Sequence, residues 1–99
     1  MWAQIIKVRI KPGHEQESEQ MREEILARAR QRPGWVRSIT MTNQRDPQEV
    51  YGLVMFDSEE QARASERTSD QDEVGQRMRE FVDGTPEFID LDVVADDGR

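Results

Sequence analysis

Residues 2–10 read Trp2-Ala3-Gln4-Ile5-Ile6-Lys7-Val8-Arg9-Ile10 and begin the pattern that decides the fold. The run is apolar and β-branched, and Lys11-Pro12-Gly13 ends it, so it predicts a first strand. A charged segment follows from about His14 to Arg32 and has the apolar period of a long helix. One stripe of side chains predicts the face of this helix that packs on a sheet: Met21, Ile25, Leu26 and Ala29.

Two strands are predicted after the long helix, which Pro33-Gly34 stops. The second strand runs from Trp35 to Thr42, and the third runs from Glu49 to Phe56 after a turn at residues 43–47. The third strand is apolar almost throughout, which indicates a strand that is covered on both faces.

The last third of the chain predicts two short helices and a final strand. Ser58 and Gln61 form a capping box that opens a helix to about Arg67, and Asp70 with Glu73 caps a second helix. The second helix has the apolar stripe Val74, Met78, Phe81 and Val82. The final strand, from Glu87 to Ala95, alternates Ile89, Leu91 and Val93 with Phe88, Asp90, Asp92 and Val94.

The order of these elements is β-α-β-β-α-β, which predicts a ferredoxin-like α+β antiparallel sheet. In this topology the first strand lies in the middle of the sheet beside the last strand, and the helices cover one face. Residues 1–95 then form a single domain and residues 96–99 a polar tail. If the register allows, Lys7 and Arg9 on the first strand lie across from Asp90 and Asp92 and neutralise them.

The composition excludes several classes of protein. The net charge is −7 and no cluster of Lys and Arg is present, so neither nucleic acid nor an anionic membrane is an expected partner. Cysteine is absent, which excludes disulfides, thiolate nucleophiles and cysteine-ligated metals. The sequence shows no signal-peptide pattern and no apolar stretch long enough to span a membrane, so we expect a cytoplasmic protein.

A homodimer is expected because the core of one chain is small. Hydrophobic residues make up 34% of the chain and charged residues 35%. A four-stranded sheet with helices on one side leaves its other face uncovered, and we expect the sheet of a second copy to pack on the apolar third strand. On this hypothesis a charged residue at Val54 or Phe56 dissociates the dimer or unfolds the chain.

The chain resembles the antibiotic biosynthesis monooxygenase-like domains, which are dimeric α+β barrels. The resemblance covers nearly the whole chain and rests on three motifs: residues 11–15 (Lys-Pro-Gly-His-Glu), residues 32–36 (Arg-Pro-Gly-Trp-Val) and residues 51–62. It implies a homodimer in which two sheets face each other, with a pocket in each subunit. It also implies that the function is found among cofactor-independent monooxygenases of aromatic polyketides, haem-degrading enzymes or members without known activity.

The departures from the family pattern concern haem ligation and the monooxygenase polar set of Asn, Trp and Tyr, which is incomplete in this chain. The family often has a tryptophan where this chain has Phe56, and histidines where it has Glu66 and Gln71. Haem-degrading members use a histidine from that region and an asparagine on the first strand, and this chain has neither. The single histidine, His14, is predicted to be a surface side chain at the start of the long helix. We therefore expect no bound cofactor: no haem, metal, flavin or nicotinamide.

Two classes of function remain open. In the first, a pocket favours the deprotonated form of an aromatic or polyketide-like substrate, whose carbanion reacts with O2. In the second, the protein is a non-catalytic homodimer that binds a small molecule or a partner protein. No catalytic residue is assigned, and the candidate ligand-binding residues are Arg9, Arg37, Tyr51 and Asp90. The more common role of Tyr51 is to fill a core or an interface, and that of Asp90 is to pair with a cation.

Overall fold

The computed structural model describes residues 1–66 and 75–98. Its elements in chain order are β1 (Trp2–Arg9), α1 (Glu15–Ala29), β2 (Trp35–Asn43), β3 (Asp46–Phe56), α2 (Glu59–Glu66) and β4 (Glu87–Asp92). The strands form one antiparallel sheet in the order β2-β3-β1-β4. The predicted ferredoxin-like α+β sheet, with the first strand in the middle, is therefore confirmed.

The long helix ends at Ala29 rather than at Arg32. The backbone amides of residues 31 and 32 donate to the carbonyls of residues 28 and 29, so the last turn tightens from the α to the 3₁₀ pattern. Pro33 follows this turn and disfavours helical geometry in the residue before it. Gly34 then has a φ of 82°, a left-handed conformation that favours glycine, and it leads the chain into β2.

The hairpin between β2 and β3 is tighter than predicted. The strands extend to Asn43 and from Asp46, so the turn itself contains only residues 44 and 45. The register shifts between Thr42 and Asn43, so the irregular part of the β2–β3 ladder coincides with Pro47, which has no backbone N–H to donate. At the other end of the chain, β4 stops at Asp92 instead of Ala95.

The start of α2 agrees with its predicted cap. The backbone amide of Gln61 donates to Ser58 Oγ at 3.2 Å, which satisfies one of the unpaired amides at the helix N-terminus. Asp70, Glu73 and Val74, which were assigned to the second short helix, lie outside the described residues. Residues 75–78 are helical, and Phe81 and Val82 beyond them are buried as predicted.

The register sorts the side chains of the sheet onto two faces. The helix face carries Trp2, Gln4, Ile6 and Val8 of β1 together with the residues that lie opposite them. Across the sheet, Gln4 is aligned with Val54 and Asp90, whereas Ile6 is aligned with Gly52 and Phe88. The open face carries the alternate residues of each strand: Ile5, Lys7 and Arg9 of β1, Leu53 and Tyr51 of β3, and Ile89 and Leu91 of β4.

Two separate clusters of buried side chains hold the helices on the helix face. One cluster lies at the Ile10 end of β1 and contains Ile10, Met21, Phe81 and Val82. The other lies at the Trp2 end and contains Trp2, Phe56 and Ala62, with the Arg32 guanidinium 4.6 Å from the Phe56 ring centroid. The middle of the helix face, between the two clusters, is where the cavity described below lies.

The proposed pairing of Lys7 and Arg9 with Asp90 and Asp92 is wrong. Asp92 lies opposite Trp2 and Asp90 lies opposite Gln4, so both aspartates belong to the helix face. Lys7 and Arg9 belong to the open face, where Arg9 Nη1 lies 2.5 Å from Asp46 Oδ2. In the observed register Asp90 lies opposite Gln4, three residues along β1 from Lys7, and a shift by an odd number of residues exchanges the two faces of a strand.

Of the two outcomes expected for a charged residue at Val54 or Phe56, dissociation of a dimer or unfolding of the chain, the structure favours unfolding. Phe56 is fully buried against Trp2 on the helix face, and Val54 packs against the same cluster. A charge at either position therefore disrupts the core of the protomer. In the described part of the chain, no helix is long and apolar enough to cross a membrane.

Candidate ligand cavity

A cavity of about 700 Å³ lies between α1 and the helix face of the sheet. Its walls are mostly aliphatic side chains of β1, β3 and α1, which include Ile6, Val8, Val50, Val54, Met21 and Ile25. Pockets that hold small organic ligands typically have volumes of about 300–1,000 Å³ and a few convergent polar groups among apolar walls. The cavity has the size and lining of a site for a small, largely apolar molecule.

Gly52 forms part of the cavity floor in the middle of β3. It is aligned with Ile6 on one side and with Thr40 on the other. A Cβ atom added to Gly52 would have no neighbouring atom within 4 Å, so the space above the backbone is open. A glycine inside a strand typically costs about 0.5–1 kcal/mol relative to alanine, and it often marks a place where a ligand approaches the backbone.

Asp90 on β4 is the one acidic side chain among the described residues that line the cavity. Gln4 Nε2 donates to Asp90 Oδ1 at 2.9 Å, and Arg63 Nη2 donates to Asp90 Oδ2 at 2.5 Å. These two hydrogen bonds, with that of Gln4 the stronger cause, hold the pKa of Asp90 below its usual range. Asp90 is therefore a fixed anion that orients Gln4 and Arg63, and a poor proton acceptor.

Arg28 lines the cavity from α1. Its Nη2 donates to Glu24 Oε1 at 2.9 Å, and the same oxygen accepts a hydrogen bond from Arg77 Nη1 at 2.8 Å. The hydrogen bond from Arg77 is the main reason that the pKa of Glu24 is lowered. The other terminal nitrogen of Arg28, Nη1, is buried and has no hydrogen-bond partner among the described residues.

Phe88 provides an aromatic surface at the edge of the cavity. It lies on the edge strand β4 opposite Ile6, lines the cavity, and is 59% exposed. An exposed phenylalanine beside an apolar cavity offers a flat surface on which an aromatic ring stacks. Phe88 therefore adds one aromatic surface to a lining that is otherwise mostly aliphatic.

The structure separates the four ligand-binding residues predicted from the sequence. Asp90 lines the cavity, whereas Arg9, Arg37 and Tyr51 lie on the open face of the sheet. The Tyr51 hydroxyl donates to the Glu49 carboxylate, which raises the pKa of Tyr51 and lowers that of Glu49. Arg9 lines a second, smaller pocket of about 220 Å³ together with Lys7, Glu49 and Asp83. The role of the four residues in ligand binding stays a prediction.

Sequence reasoning missed Gly52, Arg28 and Gln4 as cavity residues. Gly52 was recognisable from the sequence, because a glycine inside an otherwise apolar strand lowers the stability of the strand and often marks a close approach of another group to the backbone. Arg28 had none, because arginine near the C-terminus of a helix ordinarily complements the helix dipole. Gln4 was recognisable only once the register had placed it beside Asp90.

His14 is not among the described residues that line the cavity, and it has a surface contact of its own. It precedes α1, and its Nδ1 lies 3.1 Å from Glu17 Oε1, with both side chains at least one-third exposed. Within the described residues there is no group of three or more His, Asp or Glu side chains that is arranged to hold a metal ion.

Solved structures share this architecture over almost their whole length. A provisionally assigned antibiotic biosynthesis monooxygenase from Deinococcus radiodurans has a TM-score of 0.88 and 10% identity, covering 100% of this chain and 98% of that chain. Another from Nitrosomonas europaea has a TM-score of 0.86 and 12% identity, covering 96% and 100%. SnoaB, a cofactor-independent oxygenase from Streptomyces nogalater in a mutant form, has a TM-score of 0.84 and 12% identity, covering 99% and 98%.

The chain has the fold of these proteins. The resemblance predicted from the sequence is thus confirmed at the level of the fold, over nearly the whole chain. At identities of 10–12% the likeness extends no further than the fold. No protein-family model matches the sequence, and neither does any curated protein.

Proposed function

We propose that this protein binds a small aromatic, polyketide-like molecule in the cavity and oxidises it with O2 without a cofactor. The observation that carries the proposal is the cavity of about 700 Å³, with its apolar walls and its few polar groups. Its open floor at Gly52 and the exposed ring of Phe88 suit a flat molecule. The fold that the chain shares with a cofactor-independent oxygenase supports the same proposal.

The chemistry of such a substrate requires stabilisation of an anion. A CH2 group next to aromatic rings and conjugated with a ketone loses a proton to give a delocalised anion. The excess of positive charge in the cavity lining, which comes from the arginines at positions 22, 28, 32 and 63, stabilises this anion best where the apolar walls exclude water. Asp90 does not take the proton, because Gln4 and Arg63 occupy its oxygens and lower its pKa, so the proton leaves to solvent.

The oxidation then balances without an added reductant. The substrate anion transfers one electron to O2, and the two radicals combine to form a carbon–oxygen bond in a peroxide anion. This anion takes up a proton and loses water, which leaves a carbonyl group where the CH2 group stood. One CH2 and one O2 thus give one C=O and one H2O, and the protein contributes charge, orientation and a dry surface.

Oxygen uptake with anthrone as substrate tests the proposed reaction. We expect the protein to accelerate the formation of anthraquinone above the spontaneous rate, with one O2 consumed per anthrone. Gly52→Val places a branched side chain on the open floor of the cavity and should reduce the acceleration, whereas Gln20→Glu, on the exposed side of α1, should retain it. Uptake that equals the spontaneous rate for all three proteins would contradict catalysis of this reaction.

The second candidate function is binding without turnover. It is favoured by one observation, that the acidic side chain in the described cavity lining is held as an ion pair and is not a base. Three results together would support this candidate. The wild type binds anthrone, Gly52→Val does not bind it, and the wild type does not oxidise it faster than the spontaneous reaction.

We also propose that a second copy of the chain covers the open face of the sheet. Apolar side chains are exposed on both edge strands of that face, with Ile39 at 40% and Ile89 at 43%. Contiguous exposed apolar surface on a small protein typically marks an interaction site. In this arrangement Arg9, Arg37 and Tyr51, the other residues predicted from the sequence, belong to the interface between two copies.

A further inference from the structure

We infer that the ligand of the cavity carries a carboxylate in addition to its aromatic rings, and that Arg28 binds this carboxylate. The inference rests on the proposed function, because it concerns a ligand in the same cavity. It adds a charged group to the ligand and assigns the residue that recognises it.

The charges of the cavity lining are opposite to those of the whole chain. The protein has 21 acidic and 14 basic residues and a net charge of −7. The charged side chains among the described lining residues are four arginines, at positions 22, 28, 32 and 63, and one aspartate, Asp90. Glu19, Glu24 and Glu59 pair with Arg22, Arg28 and Arg63 from outside the lining. The lining residues themselves carry more positive than negative charge, which favours an anionic ligand over a cationic one.

Arg28 is the arginine whose hydrogen bonds leave a defined place for a carboxylate. Its Nη1 is buried and lacks a partner among the described residues, whereas its Nη2 shares one oxygen of Glu24 with Arg77. A planar guanidinium binds a carboxylate best through two parallel hydrogen bonds, and Glu24 engages only one of its terminal nitrogens. A change of side-chain torsion presents the unpartnered donor to a carboxylate in the cavity.

The position of Arg28 also places the carboxylate at one end of an apolar surface. Ile25 and Ala29 flank Arg28 on α1 and line the same cavity, and Gly52 and Phe88 lie on the sheet below them. A rigid aromatic carboxylate matches this arrangement, with its rings between helix and sheet and its charge at α1. An uncharged aromatic molecule fills the same volume but leaves Nη1 without a partner.

Binding of naphthalene carboxylate and of naphthalene carboxamide tests the inference, because the two probes have the same shape and differ in charge. Calorimetric titrations are made on the wild type, on Arg28→Gln, and on Arg30→Gln, which makes the same charge change at an exposed position of the same helix end. We expect the wild type to bind the carboxylate at least tenfold more tightly than the carboxamide. Arg28→Gln should remove this preference and Arg30→Gln should keep it.

The outcomes separate this inference from the proposed function. Equal affinity of the wild type for both probes would overturn the role of a carboxylate while leaving an aromatic site in place. A preference that persists in Arg28→Gln would overturn the role of Arg28. Failure of both probes to bind would contradict the aromatic site itself, and with it the inference. Arg28→Lys, which keeps the charge without the planar fork, should give an intermediate preference.

Discussion

Gly52 on β3 lies directly opposite Ile6 on β1, and a Cβ atom at Gly52 would meet no other atom within 4 Å. The two strands pair without a break through this position, so the room above Gly52 comes from a missing side chain and not from a gap in the sheet. The floor of the cavity at the middle of this central strand is therefore bare backbone.

Gly52→Val should fill part of the cavity without unfolding the protein. Valine is favoured in strands and the added atoms meet open space, so we expect the free energy of unfolding to stay the same or to rise by up to about 1 kcal/mol. Denaturant unfolding measures the change. A fall of more than about 1 kcal/mol would show that the space above Gly52 is occupied by other atoms of the protein.

Gly34→Val is the matched control for that substitution. Gly34 has a φ of 82°, and a Cβ atom there would collide with the side chain of Gln61. The same change of residue type should therefore lower the free energy of unfolding by about 1 kcal/mol or more. If Gly34→Val and Gly52→Val change the free energy of unfolding equally, the claim that Gly52 has open space above it and Gly34 does not would be contradicted.

Arg28→Met should leave the stability of the protein without ligand unchanged or slightly higher. The substitution removes a buried donor that has no partner among the described residues, and such a donor typically costs about 1–3 kcal/mol. Glu24 retains its hydrogen bond from Arg77, so no buried carboxylate is left alone. Thermal unfolding measures the effect, and a loss of more than about 2 kcal/mol would assign Arg28 a structural role.

Asp90→Asn should change how stability depends on pH. The pKa of Asp90 is lowered in the folded state, so its contribution to stability is present above its unfolded pKa of about 4 and is lost as the pH falls through the folded value. Urea unfolding from pH 7 to pH 2 should show a shallower loss of stability below about pH 4 for the variant than for the wild type. If the free energy of unfolding of the two proteins falls equally with pH, the hydrogen bonds from Gln4 and Arg63 to Asp90 would be contradicted.

Ile39→Glu and Ile89→Glu should separate the proposed dimer while leaving each protomer folded. Both side chains are about two-fifths exposed on the open face, so a charge there is tolerated in a single chain but is buried when two copies pack. Light scattering should give a dimer for the wild type and for Gln20→Glu, and a mass near 11.6 kDa for the two variants. A wild type that is monomeric at micromolar concentration would contradict the interface.

The order of helices and strands was predictable from local sequence patterns. Which face of each strand packs against the helices was not predictable in this way. Turns, caps and apolar runs located every strand, and β1 lies in the middle as expected from the topology. The faces of β4 were misassigned because Ile89 and Leu91 suggest a core, yet they lie on the open face. When both faces of a sheet carry apolar side chains, alternation no longer identifies the face that packs under the helices.

The candidate site was less predictable than the fold for a related reason. A cavity is the space that several helices and strands leave unfilled between them. The sequence of one element shows its own side chains but not the distance to the elements that face it. Gly52 marked the place without showing which helix covers it. Arg28 belongs to a helix whose charges also serve the helix itself, so its direction into the cavity required the positions of Glu24 and Arg77.

Binding of an aromatic ligand between α1 and the sheet is tested most directly by an amide NMR titration of the wild type and Gly52→Val with naphthalene carboxylate. We predict that the largest shift changes in the wild type lie at Ile6, Thr40, Gly52 and Phe88, which form one row across the helix face. In the Gly52→Val variant, we expect the same titration to cause no shift change at the amides of Ile6, Thr40 and Phe88. Shift changes confined to open-face residues such as Ile89 and Leu91, or equal changes in both proteins, would contradict a ligand site in the cavity.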